Sequence, residues 1–298
     1  MQVFRHIDRK YPKSIMTIGN YDGIHLGHQA LLNKLLFESK KHNLLSSVMT
    51  FEPHPKEFFS PQIAPKRIIS LREKLEYFMA KKIDQVFIVN FNQKFSSMNY
   101  LDFISLIKNN IRAQKIIIGS DFRFGKDRKG NIDSIKNNNI DVFTMETIEN
   151  NGDRVSSTII RELLAKGNLN RAKILLDRPY AISGKIIHGD KRGREIGFPT
   201  ANIHMFHNRP PLKGVFAVKL NGRDGVANLG TRPTIAGISK LNLEVHLFNF
   251  SKNLYGDHAH VIFLEKIRDE KKFENINALK VQIQKDIKKA RECLKNYE

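Results

Sequence analysis

The sequence predicts an α/β chain in two parts: a doubly wound, mainly parallel sheet, followed by a small antiparallel β-barrel with a terminal α-helix. Three observations carry this. From residue 14 to about 145, short apolar β-like runs alternate with helix-period segments, and that alternation requires right-handed crossovers between parallel strands. From 181 to about 265, β runs succeed one another with Gly, Pro and Asn turns between them, the spacing of a small barrel or sandwich. Beyond 273, apolar residues return at steps of three or four, the period of an amphipathic helix.

Taken in order, SIMTIG (14–19), LLSSVMTF (44–51), QVFIVNF (85–91), KIIIGS (115–120) and IDVFTM (140–145) read as buried strands, each bounded by polar residues or Gly. Helices are predicted over 28–41, 71–81 and 100–110. The second opens on Ser70-Leu71-Arg72-Glu73, a capping-box pattern, and the third follows Asn99, a natural N-cap. Ligands of such sheets sit at the carboxyl ends of the strands. Two further helices, over 158–166 and 169–176, precede Asp177-Arg178-Pro179, where the pattern changes. The expected boundary therefore lies near residue 178, giving domains 1–178 and 179–298 without a long linker or an internal repeat. AISGKII, GVFAVKL, GVANLG, LNLEVHLF and HVIFL supply the barrel strands. Phe273, Ile276, Leu279, Ile283, Ile287, Ala290 and Leu294 share one face of the terminal helix, which should pack on the barrel with Cys293 as a bystander.

With 298 residues and 41% hydrophobic content, the chain is long and apolar enough to bury a substantial core, which argues against disorder and low-complexity classes. A single cysteine excludes an internal disulfide, a CxxC redox pair and a Cys-based zinc cage, and fits a reducing compartment. No apolar run approaches the roughly 18 residues of a membrane span. The opening MQVFRHIDRKYPK lacks the apolar stretch of a secretory signal, so a cytoplasmic location is expected. Fifty Lys+Arg against 30 Asp+Glu give a formal net charge of +20. That charge raises nucleic acid or a membrane surface as a partner, but the lysines are spread along the chain rather than gathered in an arm or stripe. No specific nucleic acid or membrane partner is expected; a positive field also suits anionic small molecules such as nucleotides.

The first strand runs straight into Gly19-Asn20-Tyr21-Asp22-Gly23-Ile24-His25-Leu26-Gly27-His28, and a helix follows. Two imidazoles three residues apart, with Gly between strand and helix, can aim with the helix amides at one phosphate-sized space. A strand-to-helix turn with two surface histidines is the other reading of this spacing, and zinc ligation would need a third ligand that no spacing supplies. The segment Gly119 to Asp127 approaches a P-loop but is one residue too long and ends in Asp, and no GxGxxG occurs.

His25-x-Gly27-His28 after a first strand resembles the HxGH signature of the Rossmann-like nucleotidylyltransferase superfamily, and Ser156-Ser157-Thr158-Ile159-Ile160-Arg161 is similar to its second, phosphate-binding motif. Thr50-Phe51-Glu52-Pro53-His54-Pro55 and Gly119-Ser120-Asp121-Phe122-Arg123-Phe124-Gly125 resemble segments of the FAD synthetase branch, the first module of the bacterial bifunctional riboflavin kinase/FAD synthetase family. That resemblance implies adenylyl transfer: the phosphate of FMN attacks the α-phosphorus of ATP, giving FAD and pyrophosphate, by positioning and charge neutralisation. His25 and His28 would donate to ATP phosphates, and Arg161 would take β/γ oxygens. Asn20, Asp22 and Asp121 are candidates for nucleotide or metal contacts, Gly27, Ser156, Ser157 and Thr158 for nucleotide contacts, and Phe122 and Phe124 for flavin stacking or local packing. The family usually has Phe where Tyr21 stands.

In the second half, Gly184-Lys185-Ile186-Ile187-His188-Gly189 through Gly197-Phe198-Pro199-Thr200-Ala201-Asn202 reads as a strand and an irregular loop whose amides could cradle phosphates, or as a cluster of barrel turns. It resembles the riboflavin kinase signature ending in PTAN, with Ile196 where Leu is more common. The resemblance continues through 214–218, 228–234, Glu244-Val245-His246, 254–256 and 267–273, and so covers nearly the whole chain. It implies that Thr200 and Asn202 help hold a Mg²⁺-nucleotide and that Glu244 is the base for riboflavin's 5′-hydroxyl. It also implies that Gly184, Lys185 and Gly189 approach ATP phosphates. Arg291 reaches the flavin or is a solvated helix charge. The expected partners are thus ATP, riboflavin and FMN, with FAD as product. A nucleotidylyltransferase for another phosphorylated acceptor, with the barrel as a docking module, is the alternative.

Overall fold

The computed structural model describes residues 1–189, 193, 196–205, 209–232, 240–250 and 252–297. They form two compact units: Met1–Pro65 with Leu71–Ser156, and Lys66–Ser70 with Ser157–Glu298. By packing, then, the second unit begins at Ser157, ahead of the composition change at 178.

In the first unit, β1 (Gln2–Phe4), β2 (Ser14–Ile18), β3 (Leu45–Glu52), β4 (Gln85–Asn90), β5 (Ala113–Gly119) and β6 (Asp141–Met145) make one parallel sheet in the order β1-β4-β3-β2-β5-β6. Every residue of β2 is buried, as an apolar run covered on both faces by crossover helices should be. The sequence reading missed β1, which is three residues long and too short to show a period. The crossovers include α1 (Leu26–His42), α2 (Pro55–Phe59), α3 (Leu71–Ala80), α4 (Gln93–Ser96), α5 (Tyr100–Ser105) and α6 (Ile132–Lys136), and a short hairpin pairs β7 (Glu149–Asn150) with β8 (Asp153–Arg154). Asn99 caps α5 as predicted, accepting from the Asp102 amide at 2.9 Å. The helix predicted over 100–110 changes pitch at Leu106, where a π-helical segment runs to Ile111 before Arg112 turns left-handed at φ 60°. Strand order reverses between β2 and β5, so their carboxyl ends flank the crevice in which ligands of such sheets bind.

At the other end of the sheet, Glu38 of α1 is buried and lies 2.7 Å from Lys34 and 3.1 Å from Lys115. The Lys34 ammonium, helped by Lys115, holds its carboxyl down to about 2. A carboxylate whose native value is depressed stabilises the fold above its unfolded value of about 4.3 and loses that contribution as pH falls through the native value. Wild-type protein should therefore lose stability between roughly pH 4.5 and 2 through this group. In Glu38→Gln the urea midpoint should fall less between pH 6 and pH 3; an equal fall would remove Glu38 from the acid transition.

In the second unit, α7 (Ser157–Lys166) and α8 (Leu169–Leu176) precede a closed barrel, with α8 against its last strand. Leu169, Ala172, Leu175 and Leu176 form the buried face of α8. The barrel strands are β9 (Ala181–Ile187), β10 (Ala201–Met205), β11 (Gly214–Leu220), β12 (Arg223–Arg232), β13 (Lys240–Leu247) and β14 (His258–Arg268), closed in the order β10-β13-β12-β11-β14-β9. All pairings are antiparallel, and closure leaves no sheet edge. The terminal helix α9 (Ile276–Leu294) packs on β11, β12 and β14. Its Ala290 and Leu294 are buried with Val215, Val226 and Ile267, in agreement with the predicted face.

Candidate active sites

The first site begins where β2 ends. Tyr21 and Ile24 have φ of 51° and 42°, flanking Gly23 at 88°, a left-handed conformation that costs non-glycine residues about 1–3 kcal/mol each. Both side chains are fully buried, and this packing holds the loop in shape. The Tyr21 hydroxyl lies 2.7 Å from Thr17 Oγ1, so the extra oxygen relative to Phe is accommodated, and burial pushes its pKa well above the usual tyrosine value.

This loop delivers His25 to the N-cap of α1, with His28 one turn inside. Their rings stack at 3.8 Å between centroids with an interplanar angle of 22°. A Cβ on Gly27 would sit 3.2 Å from the His25 ring, which explains glycine between the histidines. The first turn of α1 carries no acidic residue, and its last turn holds Lys40, Lys41 and His42, an arrangement that leaves the amino end attractive to an anion.

Asn20 is anchored by its backbone. Its carbonyl accepts from Lys74 Nζ at 2.7 Å and from Thr50 Oγ1 at 3.4 Å. Its side-chain Oδ1 is buried without a hydrogen-bond partner among the described residues, a group available to a ligand. The buried Lys74 escaped the sequence reading, because nothing in its own helix marks it as pointing at a loop 54 residues earlier. Asp22 is buried as well.

Gly19 and Asn20 also line a cavity of about 720 Å³ walled by Phe51, Phe91, Phe95, Phe122 and Phe124, with Asp121 at its border. Phe124 is a core residue tilted against Phe103 at 5.1 Å, and half-buried Phe122 stacks on it at 5.6 Å. The two aromatics therefore pack locally and present a wall at the same time. The exposed Asp121 carboxylate pairs with Arg154 at 3.3 Å, a contact worth little in water. Ser156 ends the first unit. Ser157, Thr158 and Arg161 belong to α7 of the second, where the Arg161 Nε donates to the Lys66 carbonyl at 2.7 Å.

In the barrel, antiparallel register assembles the second site. Glu244 on β13 stands opposite Asn202 on β10 and Asn228 on β12, and directly opposed residues share a face of the sheet. Three oxygen-bearing side chains thus lie side by side. Glu244, Asn228 and Thr200 line a cavity of about 260 Å³ with Phe198, Val226 and Ile283. His246 Nδ1 lies 2.8 Å from the Pro199 carbonyl, pinning the PTAN segment to β13. A Cβ on Gly189 would overlap the Asn202 amide, and one on Gly184 would meet the His204 carbonyl. Both glycines therefore permit the close approach of β10. Lys185 is exposed opposite His204.

One wall of the cavity is a partly buried ion pair that the sequence does not reveal. Arg268 grips Asp286 of α9 at 2.7–3.0 Å, and Gln282 donates to the same carboxylate at 2.7 Å. Arg291 does not join this wall: its guanidinium lies 4.5 Å over Phe248 and donates to Asn249 at 3.3 Å. The phosphate-cradle expectation also covered residues 190–192, 194 and 195, and the riboflavin kinase resemblance covered 233 and 234; all of these lie outside the described residues.

Each unit, taken by itself, offers an open crevice or cavity with groups suited to phosphate and hydroxyl chemistry, which makes the chain a two-module transferase. The FAD synthetase family model matches residues 7–159 and the riboflavin kinase family model residues 176–294. The chain is 44% identical over 288 residues to the bifunctional riboflavin kinase/FMN adenylyltransferase of Escherichia coli (strain K12), covering 93% of this chain and 92% of that protein. It is 39% identical over 303 residues to the one of Pseudomonas fluorescens, covering 98% and 97%. A crystal structure described as a macrolide-efflux protein from Streptococcus pneumoniae superposes with a TM-score of 0.82 at 29% identity, covering 96% of both chains. The chain belongs to the bifunctional riboflavin kinase/FMN adenylyltransferase family. It phosphorylates riboflavin to FMN with ATP and adenylylates FMN to FAD with release of pyrophosphate.

Proposed function

We propose that riboflavin phosphorylation takes place on the Asn202, Glu244 and Asn228 row of the barrel, and adenylyl transfer at the carboxyl ends of β2 and β5. The boundary between the two activities lies near residue 178. The observation that carries the kinase assignment is the register, which sets a carboxylate between two amide side chains at the wall of a cavity. There the Glu244 carboxylate accepts the proton of riboflavin's 5′-hydroxyl as that oxygen attacks the γ-phosphorus of ATP, whose bond to the β,γ-bridging oxygen breaks to release ADP. Thr200 and Asn202 offer neutral oxygens, which suit a hard cation, and these two residues would hold Mg²⁺ with the nucleotide. When bound, the ion supplies charge neutralisation on the phosphates.

For adenylyl transfer, His25 and His28 donate to phosphate oxygens of ATP at the amino end of α1. Such a displacement depends on positioning and electrostatics, and the stacked imidazoles are already positioned. Asn20 Oδ1 and the aromatic wall of the larger cavity receive the flavin-bearing substrate. Because both reactions consume ATP, the protein is assigned to the cytoplasm. Incubation with Mg²⁺-ATP and riboflavin, followed by chromatography, should show FMN rising first and FAD with pyrophosphate following. FMN without FAD would direct the first unit to another phosphorylated acceptor.

A further inference from the structure

We propose that Asn242 is the positioning residue of the kinase site, holding the Glu244 carboxylate in line with Asn202. This rests on the assignment of Glu244 as base. Asn242 lies two residues before Glu244 on β13, so both side chains project from the same face. Its neighbour across the ladder on β12 is Gly230, and the space a Cβ would take there is filled by the Glu270 carboxylate. The Asn242 Nδ2 donates to Glu244 Oε1 at 2.7 Å and to Asn202 Oδ1 at 3.3 Å.

The chemistry of the partners fixes the orientation of this amide. A carboxylate can only accept, so the atom of Asn242 that faces Glu244 is its NH₂ group. The second hydrogen of the same group then meets the oxygen of Asn202, whose own nitrogen is directed toward Gly189. One planar amide thus aims the carboxylate and also sets which end of Asn202 faces the row. Truncation would release both groups. Asn242→Asp keeps the size and shape but replaces the donor with a charged acceptor facing a carboxylate and an amide oxygen, so it should be at least as harmful as Asn242→Ala.

The test measures steady-state kinetics on the full-length protein for Asn242→Ala, Asn242→Asp, Glu244→Gln and the double variant Asn242→Ala/Glu244→Gln. FMN-to-FAD conversion by the same molecules controls for enzyme concentration and for the first unit, and the thermal unfolding midpoint of each variant controls for folding of the barrel. The positioning role predicts that kcat for riboflavin phosphorylation falls about 10- to 100-fold in both single Asn242 variants, with KM for riboflavin within about twofold and the FAD-forming rate unchanged. In the Glu244→Gln background, Asn242→Ala should add less than about a twofold loss, because a residue that acts through another has nothing further to lose. An Asn242→Asp variant close to wild type beside a slow Asn242→Ala variant would mean simple space filling and would overturn the proposal. So would losses that multiply in full in the double variant. A slow Glu244→Gln variant with normal Asn242 variants would overturn it while leaving the base assignment intact. A wild-type rate in Glu244→Gln would overturn both.

Discussion

Glu244→Gln should lower kcat for riboflavin phosphorylation by about 10²- to 10⁴-fold, the usual contribution of a positioned general base, while FMN is still converted to FAD. Glutamine keeps the length of the side chain and can still hydrogen-bond, so the substitution removes proton acceptance with little disturbance of packing. Glu244 sits in the middle of a barrel whose strands are closed on both sides, which limits backbone rearrangement in the variant. The measurement is the initial rate of FMN formation from riboflavin, with FAD formation from supplied FMN measured on the same preparation. An unimpaired kinase would remove Glu244 as the base.

The second large effect is expected at His28. His28→Ala should reduce FAD formation from FMN by about 10²- to 10³-fold, the loss typical when one preorganised donor to a developing charge is removed, while riboflavin is still phosphorylated. The stack with His25 at 3.8 Å and the tilted contact with Tyr21 at 5.1 Å fix the ring before substrate arrives. Alanine is a good helix former, and His28 lies within α1, so the helix should persist. Comparable loss of both reactions would show that the halves do not work independently.

What could be read from the sequence follows the range of the interactions involved. The strands of the first unit are legible because burial on both faces leaves uninterrupted apolar runs, and the HxGH turn because its glycine and histidines are contiguous. The terminal helix shows through its period. By contrast, β10 does not show as a strand, since the Pro, Thr and Asn that precede and open it look like turn residues. Asn242 was invisible for a different reason: it matters through Glu244 and Asn202, and contact with the latter spans 40 residues of sequence and depends on register. Lys74 and the Arg268–Asp286 pair are likewise products of packing between distant segments. Helices α7 and α8 illustrate the limit on domain reading. Composition changes after them, yet their buried faces group them with the barrel unit.

The ladder around β13 makes the kinase sensitive to arithmetic as well as to chemistry. Side chains alternate along a strand, so deleting or inserting one residue inside β13 would turn Glu244 to the opposite wall. A change of two would restore its facing but shift it by about 7 Å along the strand, away from Asn202 and Asn228. Loops between the strands have no such parity. In this barrel, length can vary at the turns, whereas within Lys240–Leu247 the reading frame of the pleat is itself part of the active site.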